Sequence, residues 1–415
     1  MTTGAEPARV FRAIQDHLSP PLALATKLAG RGAVEVAADG VWVTMSDGRR
    51  LLDFGSYAVT LLGHRHPAVV DAVRAQLDVM PTATRSMGNP AHTAAAGALS
   101  DYLGGAFPRV HFGLNGSDAV EVAVKLARVR TGRPRIVAVE GGFHGKSLGA
   151  LALTHHAAFR AGLGEVLPST TFVAPDDPGA VAREAARGDV AALVFEPVQG
   201  ENGVRPLDPA VLRRWCDDMR AAGGYVVADE IQTGLRRCGP PLVVSEWGLP
   251  VDAVLVGKPL GGGVVPISAM LCTDDLYRPL ATNPFLHSAT FSGHPLCTAA
   301  VPAVLEVLES RRAHGERLAA QVSQALHALR EAHPDVVVEV RGRGLLWGLD
   351  FAGPELAGEV ILGVLQNGLV VSPCLSRPST LRLLPPLVAE PGHVEQAVGV
   401  LTKAVQDAGR LVRNG

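Results

Sequence analysis

The sequence predicts an α/β protein with a large, mostly parallel-sheet domain and a smaller α+β domain, on three observations. The chain has 415 residues, about twice a typical single domain. Short runs rich in Val, Ile and Leu alternate with helical patterns, as βα units around a parallel sheet do. Beyond residue 300 that alternation gives way to two helices, a strand–turn–strand and a terminal helix.

The clearest strands are RIVAVE (135–140), VAALVFEP (190–197), GYVVADE (224–230) and VDAVLVG (251–257). Residues 118–130, before the first of these, and 208–223, between the second and third, read as helices. In the first, Val120, Val124 and Ala127 line one face, and Glu121 and Lys125 stand four apart as a surface pair. The opening stretch predicts a helix, then a hairpin turning at SDG in VEVAADGVWVTMSDGRRLLDF. Domain boundaries follow: an N-terminal segment over 1–52, a large domain over 53–308 and a small one over 309–415.

Composition excludes several classes. A net charge of −2 with 47% hydrophobic residues gives no basic patch for nucleic acid and no membrane bias. No run reaches the roughly 20 apolar residues of a membrane helix, and the opening MTTGAEPARVFRAIQDHL lacks the charge-then-apolar pattern of a signal peptide. Five scattered cysteines, never spaced as CxxC, argue against a metal site or disulfide framework and for reduced thiols in a cytoplasm.

Of the 38 Lys and Arg residues only five are lysines: Lys27, Lys125, Lys146, Lys258 and Lys403. Lys258 is the one that follows an apolar strand and precedes a glycine run, PLGGG. There α/β sheets place their ligands, and a desolvated lysine turns nucleophilic or is consumed as a Schiff base. The bland alternative is a side chain snorkelling from a strand end. Asp229 ends the strand YVVADE, 29 residues earlier. A buried acid beneath a pyridine ring keeps its nitrogen protonated and the ring an electron sink, although a DE pair at a strand end is common by itself. Gly116 and Ser117 lead into a helix whose free N–H groups and dipole can cradle a phosphate; plain capping by Ser117 is the alternative. A lysine, a carboxylate and a phosphate cup on one sheet edge are together what pyridoxal 5'-phosphate (PLP) requires.

In order along the chain, GSDAVEVAVKLAR, GGFHGKSLGAL, FEPVQGENG, VVADEIQTGLRRCG, VLVGKPLGGGVVPISA and NPFLHSATFSGHPLC resemble the class III aminotransferases. The resemblance runs from about residue 35 to the C-terminus and implies the fold type I, aspartate aminotransferase-like architecture. It implies that Lys258 carries PLP and shuttles a proton, and that Asp229 meets the pyridine nitrogen. It also implies cofactor-binding roles for Gly116, Ser117, Phe143, His144 and Gln232, and for Thr290 across the interface of an obligate homodimer. Tyr57, Lys146, Glu196, Glu201 and Arg382 fall on the substrate side, with Arg382 as the keto-acid clamp and Glu201 as its mask when an amine is bound.

Lys146 stands where ornithine-type enzymes carry an arginine, and a lysine lacks the bidentate fork for an α-carboxylate. Gly88 stands where they carry a tyrosine. The variants FHGKSLGAL, NPFLHSATFSGHPL and VRGRGLLWGLDF resemble the bacterial putrescine aminotransferases, so, with both departures, the expected reaction moves a terminal amine from a diamine or ω-amine to 2-oxoglutarate or pyruvate. Ornithine or acetylornithine transamination is the alternative, as is a non-transaminase reaction on the same fold, since cofactor motifs do not separate these. A catalytically dead binding protein is disfavoured because Lys258 and Asp229 are both present. Asn115 and Asp118 depart from the usual Ser or Thr and Glu of the phosphate cup. A P-loop reading of GGFHGKS fails on spacing, because its first glycine would fall at Glu140.

Overall fold

The computed structural model describes residues 6–414; the first five residues of the opening stretch and Gly415 lie outside it. The chain divides into two compact units, one of residues up to His66 with Ala313 onward, the other Pro67–Arg312. Among the described residues no helix is long and apolar enough to cross a membrane.

The 67–312 unit is built on seven strands: β1 (Arg109–Gly113), β2 (Arg135–Val139), β3 (Thr170–Val173), β4 (Val190–Phe195), β5 (Tyr225–Asp229), β6 (Ala253–Val256) and β7 (Ser268–Cys272). Their order across the sheet is β1-β7-β6-β5-β4-β2-β3. Only β7 runs against its neighbours, so the carboxyl ends of the other six share one edge. β2, β4, β6 and β7 are buried along their whole length, which explains their unbroken apolar sequences.

Helix α1 (Gly116–Thr131) packs Val120, Ala123, Val124 and Ala127 against this sheet. Its Glu121 does not pair with Lys125. Its carboxylate accepts from Ser147 Oγ at 2.6 Å and the Gly149 N–H at 2.8 Å, capping the helix Leu148–Leu153. An orphan helix start outbids an exposed ion pair worth only a few tenths of a kcal/mol.

In the other unit, two helices (Pro7–His17 and Pro20–Ala29) stand where one was predicted. The expected hairpin is a three-stranded meander, Glu35–Asp39, Trp42–Met45 and Arg50–Asp53. SDG turns its second connection, with Gly48 at φ 85°. A second sheet combines Val337–Arg343, Leu346–Phe351, Arg377–Leu383 and Ser372–Cys374, and Pro391–Asn414 closes the chain as a helix.

Just after the meander the backbone does something rare. Ser56, Tyr57 and Ala58 follow one another at φ 37°, 52° and 67°, a left-handed turn without a glycine, costing about 1–2 kcal/mol per residue. Asp53, 1% exposed, holds it. Its carboxylate accepts the Gly55 N–H at 2.9 Å, Ser56 Oγ at 2.6 Å and His64 Nε2 at 2.8 Å. Burial opposes that charge, but the hydrogen bonds from His64, Ser56 and Gly55 outweigh it and hold the carboxyl below its ordinary range.

Candidate active site

Five strand ends deliver most of the predicted residues of the 67–312 unit to one sheet edge. Gly116 and Ser117 follow β1, Phe143 and His144 follow β2, and Glu196 and Glu201 follow β4. Asp229 ends β5 with Gln232 beyond it, and Lys258 lies two residues past β6. The register pairs Asp229 with Leu255, so β5 and β6 end side by side.

The cap of α1 is Asn115, not Ser117. Asn115 Oδ1 accepts the Asp118 N–H at 3.2 Å, while Asp118 Oδ2 accepts from Leu114 at 2.8 Å and Asn115 at 3.3 Å. The two departures noted in the sequence are thus one feature, a capping box. Capping by Asn115 leaves the Ser117 hydroxyl uncommitted and places the Gly116 and Ser117 N–H groups in the first turn, where helices bind anions.

Glycines wall this corner. A Cβ on Gly145 (φ 126°) would lie 2.1 Å from Ser117 Oγ. Cβ atoms on Gly116 and Gly257 would meet Ile231 at 3.0 and 3.2 Å, so one side chain packs against two strand ends. Ile231 was invisible to motif reading, because only the fold brings residues 116, 231 and 257 together.

Asp229 is 4% exposed. Its Oδ2 accepts from His144 Nδ1 at 2.7 Å and its Oδ1 from the Ile231 N–H at 3.1 Å. Burial alone would lower the His144 pKa, yet the hydrogen bond and charge of Asp229 prevail and raise it. Thr154 fixes the same loop, accepting the His144 N–H at 3.0 Å and donating to the Gly145 carbonyl at 2.9 Å.

Glu196 joins two loops. Its Oε2 accepts the Phe143 N–H at 2.9 Å and its Oε1 the Gly200 N–H at 3.3 Å. Full burial pushes its pKa up to about 7, against the opposing pull of His144. The sign follows from linkage: with an unfolded value near 4.5, this carboxyl favours the folded state at low pH, and that stability fades as pH rises toward 7. Glu196→Gln does not titrate but turns its amide N–H toward either the Phe143 or the Gly200 N–H, so it should be less stable than the parent at pH 5. Between pH 5 and pH 8 that difference should move in the variant's favour by on the order of 2–3 kcal/mol. Thermal melts of the cofactor-free protein at both pH values check this; an equal offset at both would refute the linkage.

Gln232 is buried against Gly200, where a Cβ would fall 1.4 Å from its Oε1. The loop carrying Gln232 is anchored by Glu230, whose carboxylate accepts from Thr233 Oγ1, Val243 N and Val244 N at 2.8–2.9 Å. No motif assigns Glu230 a role beyond the DE pair. Lys258 is half-buried in the left-handed region at φ 42°, unusual for a long side chain and common where function dictates the backbone. In the glycine run behind it, a Cβ on Gly262 would meet Val69 at 2.8 Å.

Lys146 is exposed, with Nζ 4.2 Å above the Phe159 ring; Phe143 meets that ring edge-on at 6.1 Å. Thr290 sits on an exposed loop. Tyr57 and the buried Arg382, in the strand Arg377–Leu383, belong to the other unit.

Pyridoxal phosphate fits this edge. A glycine-walled helix start suits a phosphate, a buried aspartate with its histidine suits a protonated ring nitrogen, and the buried His144 Nε2 has no partner among the described residues. That combination on a mostly parallel sheet defines the PLP-dependent enzymes of fold type I. Within them, the chain belongs to the class-III aminotransferases, whose family profile matches residues 31–405. It is 35% identical over 393 residues to the putrescine aminotransferase of Pectobacterium atrosepticum, covering 90% of this chain and 82% of that one. The ornithine aminotransferase of Toxoplasma gondii superposes with a TM-score of 0.89 at 27% identity, over 97% of this chain and 96% of the other. A PLP-bound amine transaminase from an uncultivated Pseudomonas species superposes at 0.83 and 26%, over 91% and 95%. The protein is a PLP-dependent aminotransferase.

Proposed function

We propose that this enzyme takes a terminal primary amine from a diamine or similar ω-amine and passes it to 2-oxoglutarate or pyruvate. Lys258 holds the cofactor and moves the proton, Asp229 and His144 support the ring nitrogen, and Phe143 covers the ring while Gln232 meets its hydroxyl. Gly116 and Ser117 hold the phosphate. Bound there, PLP supplies the electron sink that lets the carbon beside the amine release its proton.

The observation that carries the substrate reading is Lys146, whose ammonium rests on the Phe159 ring rather than in an ion pair. A lysine so placed offers no fork for an α-carboxylate. Glu201 and Arg382 serve the two half-reactions. Arg382 clamps the keto acid, and Glu201 neutralises it when a second ammonium enters, since an unmasked guanidinium would repel the diamine. The 35% identity to a putrescine aminotransferase supports the same class. Single-turnover rates of cofactor absorbance change with putrescine, cadaverine, 4-aminobutyrate, ornithine and acetylornithine test it. The diamines should react fastest, and Glu201→Ala should slow them more than glutamate. Ornithine or acetylornithine leading by a wide margin would replace this reading with the amino-acid one.

The same reading makes the enzyme a cytoplasmic homodimer. All five cysteines are buried free thiols; the loop bearing Thr290 exposes Phe285 (87%) and its Ala289 carbonyl accepts from Arg85 Nη1 at 2.5 Å, two residues before the bare Met87 (77%). Large apolar groups left in water mark an interface, and Thr290 would donate to the partner's phosphate. Mixing Thr290→Ala with Lys258→Ala chains checks this: the hybrid holds one intact site and should recover activity. Inactive hybrids from exchanging parents would place Thr290 within its own site.

A further inference from the structure

The left-handed turn at residues 56–58 has no packing reason to avoid glycine at Tyr57, which is 68% exposed. Three non-glycine residues in this conformation persist only where their surroundings over-determine them. Those surroundings are unusually complete. Phe54 is pinned on both sides, its N–H to the Val370 carbonyl at 3.0 Å and its carbonyl to the Leu384 N–H at 2.8 Å. Gly55 presses on Val371, whose backbone a Cβ would meet at 3.0 Å. Ala58 is buried. Asp53 ties both flanks together, through Gly55 and Ser56 before the apex and His64 after it, with Thr60 Oγ1 at 3.4 Å. Everything around the apex is fixed, and the apex itself presents one phenol to solvent.

We infer that Asp53, with Ser56 and His64, forms a rigid mount for the backbone that bears Tyr57, making Asp53 a positioning residue for substrate selection. This rests on the reading of Tyr57 as a substrate residue. The reason lies in entropy: the backbone that carries this aromatic side chain is fixed before the ligand arrives, so binding does not bear the cost of ordering the turn.

The test separates the mount from the residue it carries. Tyr57→Ala, Asp53→Asn and Ser56→Gly are made singly, and the latter two also in the Tyr57→Ala background. Ser56→Gly keeps the turn accessible, because glycine adopts positive φ freely, and guards against Asp53→Asn failing to fold. Expected is a rise in KM for the preferred amine of about 5- to 20-fold for each single variant, within the range that pre-organisation and substrate placement command. PLP affinity and KM for the keto acid should stay near parental values, and in the Tyr57→Ala background neither mount variant should add to the effect. A second readout needs no turnover. Tyr57→Cys carries a nitroxide, the five native cysteines being buried, and its spectrum should be immobilised in the parent and narrowed by Asp53→Asn or Ser56→Gly.

A KM rise with Tyr57→Ala but not with the mount variants overturns the mount and leaves Tyr57 as a substrate residue. No change with Tyr57→Ala overturns both roles. Fully additive effects in the double variants, or a nitroxide equally mobile in all, show that Asp53 acts elsewhere.

Discussion

Lys258→Ala should lower aminotransferase activity by at least about 10⁴-fold, the upper range of a lost acid–base group, compounded by loss of the covalent tether. No other lysine can substitute. Lys27 and Lys403 lie in helices of the other unit, Lys125 is on the exposed face of α1, and Lys146 is exposed over Phe159. Borohydride reduction of the parent, followed by mass spectrometry, should leave a pyridoxyl adduct on the peptide bearing residue 258. In the variant no adduct should form. An adduct on another lysine would move the carrier elsewhere. Exogenous methylamine should restore a small part of the activity, because it can replace the lost base but not its placement.

Asp229→Asn should cost on the order of 10²- to 10³-fold in kcat, the usual loss when a pre-organised electrostatic partner is removed from a dry site. Much of the cofactor should be retained, since the phosphate corner at α1 does not depend on Asp229. The histidine responds as well: without the carboxylate, burial is left to lower the His144 pKa that Asp229 holds up. The variant therefore removes the negative charge and the support it gives to the histidine's proton. His144→Gln should lose less than Asp229→Asn, because it keeps the carboxylate. Cofactor occupancy by absorbance, alongside kcat, separates binding from ring-nitrogen support. Parental kcat in Asp229→Asn would show that another group holds the ring proton.

What the sequence determined by itself was what depends on near neighbours along the chain. Alternating apolar runs and amphipathic stretches gave the βα order, and the structure matches them closely: 135–140 against Arg135–Val139, and 118–130 inside Gly116–Thr131. The family was legible for the same reason, since DEIQTG and the GK before its glycine run are short strings whose spacing is read directly. Local chemistry misled only where two local solutions competed. Ser117 and Asn115 are both good caps, and Asn115 prevails because Asp118 completes a box with it and Ser268 Oγ holds its carbonyl at 2.6 Å. Glu121 could pair with Lys125, yet a helix 26 residues away needed it more. The tertiary structure alone decided contacts between distant strand ends, which no spacing rule encodes: His144 on Asp229 across 85 positions, Glu196 on Phe143 across 53, and Ile231 between Gly116 and Gly257. It also decided the turn at 56–58, where local propensity argues against the backbone adopted. Propensity there is worth a kilocalorie or two per residue, and a buried carboxylate with several donors, set by the fold, is worth more.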